Sequence, residues 1–294
     1  MQGGRRAGRG LTIAQRRSLF GLLFVLPGVV PLLIFVIYPM GSALYLSFTN
    51  WQLMGTPQIQ GFQNYTQLSS DLQFRSALTV TLEFALGTAI PSCVLALGVA
   101  LLFNARASFT SWYQPLLFLP AVLPTVVTSL VWGILYQGNG VINNVLGLNV
   151  AWLTDQSWAL PALMIMTIWT NLGYYAVILL AGVREIPNDY YEAARIDGAG
   201  TPALIRHITL PLVRPTLLFV VVIATSNALT LFIQPYLLTQ GGPGDATRTL
   251  SELIYDTAFS FLNIGKASAM SFILLAISLV LAFVQFSVLQ SGDS

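Results

Sequence analysis

Long apolar stretches separated by short polar ones dominate this chain. Six of the stretches are long enough to cross the ~30 Å hydrocarbon core of a bilayer as helices. The pattern therefore predicts an all-α membrane protein with six transmembrane helices. The predicted spans cover residues 19–48, 76–103, 112–136, 159–183, 216–238 and 267–289.

Prolines fall inside several of these spans, above all the first and the first half of the third. We expect bends at these positions, which a membrane tolerates where neighbouring helices or water satisfy the freed carbonyls. The polar and aromatic segment 50–75 has a length that suits a short interfacial helix. The spans and their connections together form one membrane domain over residues 19–290.

Composition agrees with this class. Charged residues make up 8% of the chain and hydrophobic residues 55%, with a mean hydropathy of +0.73. A soluble domain carries about 25% charged residues. The single cysteine, Cys93, excludes a disulfide framework and a cysteine metal cluster.

The basic residues are distributed unequally between the two sides that six crossings define. Residues 1–18 form a basic arm, and with the N-terminus inside, ten of the thirteen basic residues lie in the cytoplasm. Such an excess follows the positive-inside rule and predicts cytoplasmic N- and C-termini. The ten are Arg5, Arg6, Arg9, Arg16, Arg17, Arg106, Arg184, Arg195, Arg206 and Arg214, whereas Arg75, Arg248 and Lys266 fall outside.

A charged island over residues 186–215 interrupts the apolar pattern on the cytoplasmic side. Asn188 after Pro187 is a good N-cap, and the sequence predicts a helix over residues 189–197. Gly198 and Gly200 suit left-handed conformations that end a helix. The island is therefore expected to be a helical hairpin.

The second helix of the hairpin has its own start and stop signals. Thr201 is expected to cap it, and Pro211 and Pro215 are expected to stop it and to start the next helix. Asp197 lies at the negative end of the first helix, where a carboxylate is disfavoured. We expect it to accept N–H groups of the glycine turn, and we expect Glu192 to pair weakly with Arg195.

This hairpin resembles the EAA motif of the permease subunits of binding-protein-dependent ABC importers. In that family the segment is a cytoplasmic coupling helix that docks in a groove of the ATPase subunit. The resemblance extends over some thirty residues. It assigns ATPase coupling to Glu192, Ala193, Ala194, Asp197, Gly198, Ala199, Ile208 and Pro211.

Three further stretches resemble the maltose-type carbohydrate importers within this family. They are the segment from Trp169 to Tyr174, the segment from Thr239 to Pro243 and the segment from Ser47 to Trp51. The resemblance implies a sugar or a sugar derivative as the solute. A non-sugar solute stays an alternative, because these motifs are less specific than the EAA motif.

The resemblance also implies partners and a location in the bacterial cell membrane. The chain has no GxxxxGK[ST] sequence, so we expect ATP and Mg to be bound by partner ATPase subunits and no cofactor to be bound by this chain. The implied assembly contains a second permease, two ATPase subunits and an extracytoplasmic solute-binding protein, surrounded by membrane lipid. A nucleic-acid partner is not expected.

Two other classes are weighed against this interpretation. An enzyme would need catalytic groups, but His207 is the only histidine and Glu83 is the only acidic residue within the predicted spans. A secondary transporter usually carries intramembrane ionisable groups that bind a coupling ion, together with internal repeats or broken helices. This sequence offers only Glu83 within the predicted spans and shows no internal repeat. An ATPase inhibitor would distinguish it, because ion-driven uptake would survive the inhibitor.

Polar and aromatic groups inside the fourth and fifth spans are the candidates for the solute path. A sugar needs hydrogen-bonding groups and an aromatic face, and such groups normally face the bundle interior. The alternative is that they only join helices, at about 0.6 kcal/mol per bond. The candidates are Asn171, Gly173, Tyr174 and Asn227, followed by Trp169 and Glu83.

Overall fold

The computed structural model describes residues 13–105 and 107–290, without the side chains of residues 13–20, 22–23, 107–112 and 288–290. The described residues form helices joined by turns and loops. Backbone β-pairing among them is limited to isolated bridges. Arg5, Arg6, Arg9 and Arg106 lie outside the described residues, as do the side chains of Arg16 and Arg17. The predicted basic arm therefore stays a prediction, although helix α1 already begins at Ile13.

The described helices are named α1 to α14 in chain order. Their bounds are α1 Ile13–Leu32, α2 Tyr38–Ser47, α3 Gln63–Ser70, α4 Leu72–Ala105, α5 Ala107–Val122, α6 Thr125–Leu135, α7 Val141–Leu146, α8 Ala159–Arg184, α9 Asn188–Ile196, α10 Thr201–Leu204, α11 Leu210–Leu229, α12 Ile233–Leu238, α13 Leu250–Tyr255 and α14 Ile264–Gln290. Wider π-helical turns occupy Leu33–Ile37, Ile205–Thr209 and Asp256–Ser260.

The described chain contains the membrane-spanning helices that the hydrophobic pattern predicts. Five stretches are long and apolar enough to cross a membrane, and a bent pair of helices supplies the sixth crossing. The five are Phe24–Ser47, Leu72–Ala105, Ala159–Arg184, Thr201–Leu238 and Ile264–Ser287, and the bent pair is Tyr113–Val122 with Thr125–Leu135. The all-α architecture is confirmed, and the described chain has six candidate spans when the bent pair counts as one.

The third span is not the single helix predicted over residues 112–136. Its two halves, α5 and α6, meet at an angle of 99°. Pro124 lies between them with φ −55° and ψ 129°, outside the helical region. A proline removes one N–H donor and disfavours the α conformation of the residue before it, here Leu123. The chain therefore turns inside the membrane domain.

The core forms where α4, α8 and α11 pack against one another. Alanines of α4, such as Ala96, are fully buried against Leu179 of α8 and Val220 of α11. Small side chains on one helix let the larger side chains of the neighbours approach closely, as is common in membrane helix packing. A second apolar cluster, around Phe84 and Leu163, continues the core toward α13 and α14.

Three connecting segments, residues 49–71, 136–158 and 239–263, are called the loop end below. The short helix expected in segment 50–75 is α3, and the amide of Asn64 on α3 donates to the carbonyls of Ser47 at 2.8 Å and Thr49 at 2.9 Å. The N–H of Gly265 donates to the Trp51 carbonyl at 3.1 Å. Residues 185–209 at the other ends of α8 and α11 are called the hairpin end.

Candidate functional site

The hairpin end consists of two helical arms joined by a tight turn, as the sequence predicts. α9 ends at a turn in which Gly198 has φ +84°. The N–H of Gly198 donates to the Arg195 carbonyl at 3.0 Å, and the N–H of Ala199 donates to the Ala194 carbonyl at 2.9 Å. These two bonds form a Schellman C-cap, which requires a left-handed residue at this position. The chain reversal at Gly198 is therefore confirmed.

The predicted caps of both arms are wrong by one residue. Pro187 precedes α9 with ψ 137°, so Asn188 is already helical. Gly200 precedes α10 in an extended conformation, with φ −78° and ψ 169°, so it is not left-handed and Thr201 is the first helical residue. Both helix starts are exposed, and water can therefore satisfy the free N–H groups that the side chains were expected to bind.

The charged side chains of α9 have no partners within the described part of the chain. The expected bond from the turn to the Asp197 carboxylate is wrong, because helix carbonyls accept the N–H groups of the turn instead. The expected pair between Glu192 and Arg195 does not form either. Next to these charges Ile196 is 87% exposed. The C-terminal end of α9 therefore presents unpaired charges and an apolar side chain to its surroundings.

The second arm continues into the fifth span as one helix from Thr201 to Leu229. Pro211 and Pro215 do not stop it, contrary to the prediction. The N–H of Leu210 donates five residues back to the Ile205 carbonyl. This wider turn has already shifted the hydrogen-bond ladder directly before Pro211, and neighbouring helices can satisfy the groups that Pro215 frees.

The two arms also contact each other through side chains. The hydroxyls of Tyr191 on α9 and Thr209 in the π-helical turn lie 3.0 Å apart. Leu204 in the second arm is buried, and its carbonyl accepts a hydrogen bond from the Thr209 hydroxyl at 3.4 Å. Among the residues assigned to coupling, Glu192, Ala193, Asp197, Gly198 and Pro211 are exposed, and Ala194, Ala199 and Ile208 are half-buried. Their contact with an ATPase stays a prediction.

A cavity of about 420 Å³ lies where two of the spans are interrupted. One wall is the break between α5 and α6, and another is the break between α11 and α12. We call this space the central cavity. α4 contributes Thr88 and Ser92, α8 contributes Thr167, Thr170, Asn171 and Tyr175, and the fifth span contributes Asn227, Thr230 and Gln234.

Two of the predicted path residues lie together in this cavity. Asn171 donates its amide to the Thr167 carbonyl at 2.9 Å, and Asn227 donates its amide to the Tyr175 hydroxyl at 3.3 Å. Their side-chain oxygens, Oδ1, accept no hydrogen bond from the described chain. Tyr175, which joins the fourth span to the fifth through its bond with Asn227, was not among the residues predicted from the sequence.

The other predicted path residues do not line the central cavity. A Cβ on Gly173 would lie 1.9 Å from the Leu117 carbonyl oxygen, so this glycine serves the close packing of α5 on α8. Tyr174 is partly exposed beside Phe118, with ring centroids 6.5 Å apart. Trp169 is 42% exposed and packs edge-on against Trp132.

Glu83 lines a different space. It lies at the wall of a second cavity of about 510 Å³, together with Gln156 and Asp245. This outer cavity opens toward the loop end, since the segment 239–263 forms part of its wall. Glu83 is thus separate from the asparagines with which the sequence analysis grouped it.

Helical spacing is the signal that would have found Tyr175. Side chains four residues apart share one face of a helix. Thr167, Asn171 and Tyr175 follow this spacing on α8, whereas Tyr174 lies on another face. Thr88 and Ser92 are likewise four residues apart on α4. Nothing in the local sequence indicates Gln234, because its position depends on the break after Leu229.

Comparisons with known proteins agree on one family. Residues 87–290 match the family described as "Binding-protein-dependent transport system inner membrane component". The chain is 32% identical over 283 residues to the sulfoquinovosyl glycerol transport system permease protein SmoG of Agrobacterium fabrum, covering 94% of this chain and 92% of that protein. It is also 32% identical over 306 residues to the diacetylchitobiose uptake system permease protein NgcF of Streptomyces coelicolor, covering 98% and 86%.

A solved structure shows the same fold. It is a chain of a bacterial ABC transporter involved in the import of the acidic polysaccharide alginate, with a TM-score of 0.81 and 24% identity over 94% of this chain and 96% of that chain. The family match covers most of the chain, and relatives above 30% identity cover nearly all of it. The chain therefore belongs to the binding-protein-dependent transport system inner membrane components, the permease subunits of ABC importers, which are not themselves enzymes.

Proposed function

We propose that this chain forms one half of the translocation pore of an ATP-driven importer for a sugar or a sugar derivative. The names of SmoG and NgcF, which refer to a sulfoquinovosyl glycerol and to diacetylchitobiose, support this class of solute. The central cavity supports it as well, because hydroxyls, amides and one phenol line a space between the spans. Sugars are bound through groups of these types.

One observation carries the coupling part of the proposal. The helix that forms the second arm of the hairpin ends at the wall of the central cavity, where Asn227 and Thr230 lie. A helix transmits displacement along its axis without stretching, and α9, with nine residues, is a rigid element about 13 Å long. An ATPase that moves the hairpin end would therefore move the cavity wall.

The proposal includes partners that this chain does not supply. Two ATPase subunits would bind ATP and Mg and would hold the tips of the two hairpins. A second permease would form the other half of the pore, and an extracytoplasmic solute-binding protein would deliver the solute. The residues assigned to docking are the coupling set from Glu192 to Pro211.

The energy source and the coupling can be tested on the whole complex. The complex would be purified through a tag on this chain, reconstituted with its binding protein in liposomes, and supplied with solute outside and ATP inside. We expect uptake to stop with an ATPase inhibitor and to continue with an ionophore that collapses ion gradients. The reverse pattern would contradict the proposal.

The orientation is a separate part of the proposal, with its own test. In a Cys93→Ala background, Asn149→Cys at the loop end should react with an impermeant thiol reagent added outside intact cells. Thr201→Cys at the hairpin end should react only after the cells are permeabilised. Both positions are exposed, so access across the membrane decides the result. Labelling of Thr201→Cys in intact cells would place the hairpin outside and would contradict coupling to an ATPase.

A further inference from the structure

The central cavity has polar walls without a charged side chain. None of its described lining residues is Asp, Glu, Lys, Arg or His, although more than half of them carry a hydroxyl, an amide or a phenol. Family membership leaves the charge of the solute open, since a transporter of this fold imports an acidic polysaccharide. The uncharged lining of this cavity therefore indicates the charge of the solute for this chain specifically.

Most hydroxyl protons in the cavity are already used inside the helices. Thr88, Thr167 and Thr170 each donate to the carbonyl four residues back, at distances of 2.6 to 2.9 Å. These hydroxyls can then only accept hydrogen bonds from a solute. The side-chain Oδ1 atoms of Asn171 and Asn227, which accept no hydrogen bond from the described chain, add further acceptors.

Two side chains differ from these threonines because they have no partner. Gln234 is 6% exposed and Ser92 is 3% exposed, and both line the cavity. Neither side chain makes a hydrogen bond within the described part of the chain. Their polar atoms are not among the fully buried unpaired atoms of the described chain, so both groups are accessible from the cavity. The two groups therefore lack partners that a solute in the cavity can supply.

These observations fit a particular chemistry of solute. An uncharged polyhydroxyl compound offers donors to the threonine and asparagine oxygens and both donors and acceptors to Gln234. A carboxylate or sulfonate would lose its hydration here without gaining a cationic partner, which is far more costly than burying a hydroxyl.

We propose that the central cavity binds an uncharged, hydroxyl-rich solute through Gln234 and Ser92 and disfavours acidic sugars. This inference rests on the proposed function, since it concerns the same path. It assigns direct solute contact to two residues that lie on different helices, Ser92 on α4 and Gln234 on α12. A solute bound in the cavity would supply hydrogen-bond partners to both side chains.

Solute binding can be tested on the complex in nanodiscs without its binding protein, so that the permeases alone select the probe. The probes are maltose, lactose and diacetylchitobiose as neutral sugars and an alginate disaccharide as the acidic one, each at millimolar concentration. We expect at least one neutral probe to raise the unfolding temperature and the acidic probe to leave it unchanged. Stabilisation by the acidic probe alone, or by none of the four, would overturn the inference.

Variants then connect binding to the two residues. Gln234→Met keeps the length of the side chain and removes the amide, and we expect the half-saturating concentration of the neutral probe to rise about tenfold, with a smaller rise for Ser92→Ala. Gln285→Met is the matched control, because Gln285 lies on α14 and donates to Thr225 at 2.9 Å outside the central cavity. Should Gln234→Met and Gln285→Met have equal affinities, Gln234 does not bind the solute. If the two affinities are equal but ATP-dependent uptake persists, the result contradicts the role of Gln234 and does not contradict the proposed function.

Discussion

The two ends of the bundle differ in how their charged groups are satisfied. At the loop end, Lys266 binds Asp71 at 2.6 Å, and Arg248 binds Asp245 at 2.8 Å and Asp256 at 3.1 Å. At the hairpin end, the charges of α9 have no partner within the described chain. Contacts within the chain thus stabilise the loop end, whereas the hairpin end leaves its polar groups for a partner.

This difference predicts that substitutions at the two ends separate stability from coupling. Changes at the loop end should lower the free energy of unfolding, because they remove bonds that the folded chain makes to itself. Changes at the hairpin end should leave stability nearly unchanged and should affect the response to the ATPase. The predictions below test this separation.

The largest effect is expected from Gly198→Val at the hairpin end. A β-branched residue at φ +84° is strained, so the Schellman turn should open and misplace α9. We expect solute-stimulated ATPase activity of the complex to fall roughly tenfold, which corresponds to about 1.4 kcal/mol of coupling free energy.

Gly147→Val is the matched control for that variant. Gly147 also ends a helix in the left-handed region, with φ +63° and open space around it, but it lies at the loop end. Gly147→Val should lower stability in thermal unfolding and leave stimulated ATPase activity near the wild-type value. Equal losses of stimulated ATPase activity in the two would show that strain, and not the position of α9, controls coupling.

The next largest effect is expected from Asp71→Asn at the loop end. The carboxylate accepts the N–H groups of Gln73 at 2.9 Å and Phe74 at 3.1 Å at the start of α4, and it pairs with Lys266. Burial raises the pKa of Asp71, but the bonds from Lys266 and the two amides outweigh it and hold the pKa below its usual value. The substitution should cost about 1–2 kcal/mol of unfolding free energy.

Denaturation in detergent measures this loss, and Asp197→Asn at the hairpin end is the control. Asp197 is exposed and unpaired, so its substitution should change stability by no more than about 0.5 kcal/mol. If Asp197→Asn were as destabilising as Asp71→Asn, the hairpin end would depend on contacts within the chain after all, and the contrast between the ends would be lost.

The sequence predicted local features well where neighbouring residues determine them. The reversal at Gly198 depends on a glycine that follows a helix, and the spans depend on contiguous apolar runs. Prolines show the limit of this reasoning. Pro124 interrupts a span, whereas Pro211 and Pro215 lie inside a continuous helix. The π-helical turn accommodates Pro211, and neighbouring helices can satisfy the groups that Pro215 frees.

The central cavity could be predicted only in part. Asn171 and Asn227 are recognisable as polar groups in apolar spans, but their neighbours come from segments that are far apart in sequence, from Thr88 to Gln234. Tyr175 could have been found from the four-residue spacing on α8. Glu252 at the loop end could not, since its burial depends on how α13 packs on α4 and α14.

A smaller effect is expected from Glu252→Gln, which tests the loop end through pH. Burial raises the pKa of this carboxyl from 4.5 to about 7, although Arg248 counteracts it and Asp256 and Asp245 add to the rise. Between pH 4.5 and about 7 the folded state keeps a proton that the unfolded state loses. The free energy of unfolding therefore falls as pH rises through this window and levels off above it.

The variant removes that titration, so its stability should depend less on pH. Relative to the wild type, Glu252→Gln should gain unfolding temperature at pH 8 compared with pH 5. Glu185→Gln, an exposed carboxyl at the hairpin end, should follow the wild-type profile. Parallel profiles for Glu252→Gln and the wild type would show that the loop end does not depend on the protonation of Glu252.

The smallest effect is expected from Tyr191→Phe at the hairpin end. The change removes the Tyr191 hydroxyl, which lies 3.0 Å from the Thr209 hydroxyl. In the described chain these two groups form the side-chain hydrogen bond between α9 and the second arm. A hydrogen bond of this kind contributes about 0.5–1.5 kcal/mol. Because α9 would stay attached through the Schellman turn, we expect a two- to threefold loss of solute-stimulated ATPase activity and little loss of stability. Thr209→Val should give the same loss, and the double variant should be no worse than either single one, since the two hydroxyls belong to one contact. Additive losses in the double variant would mean that each residue acts separately. The hydrogen bond between Tyr191 and Thr209 would then not transmit the movement of α9 to the cavity wall.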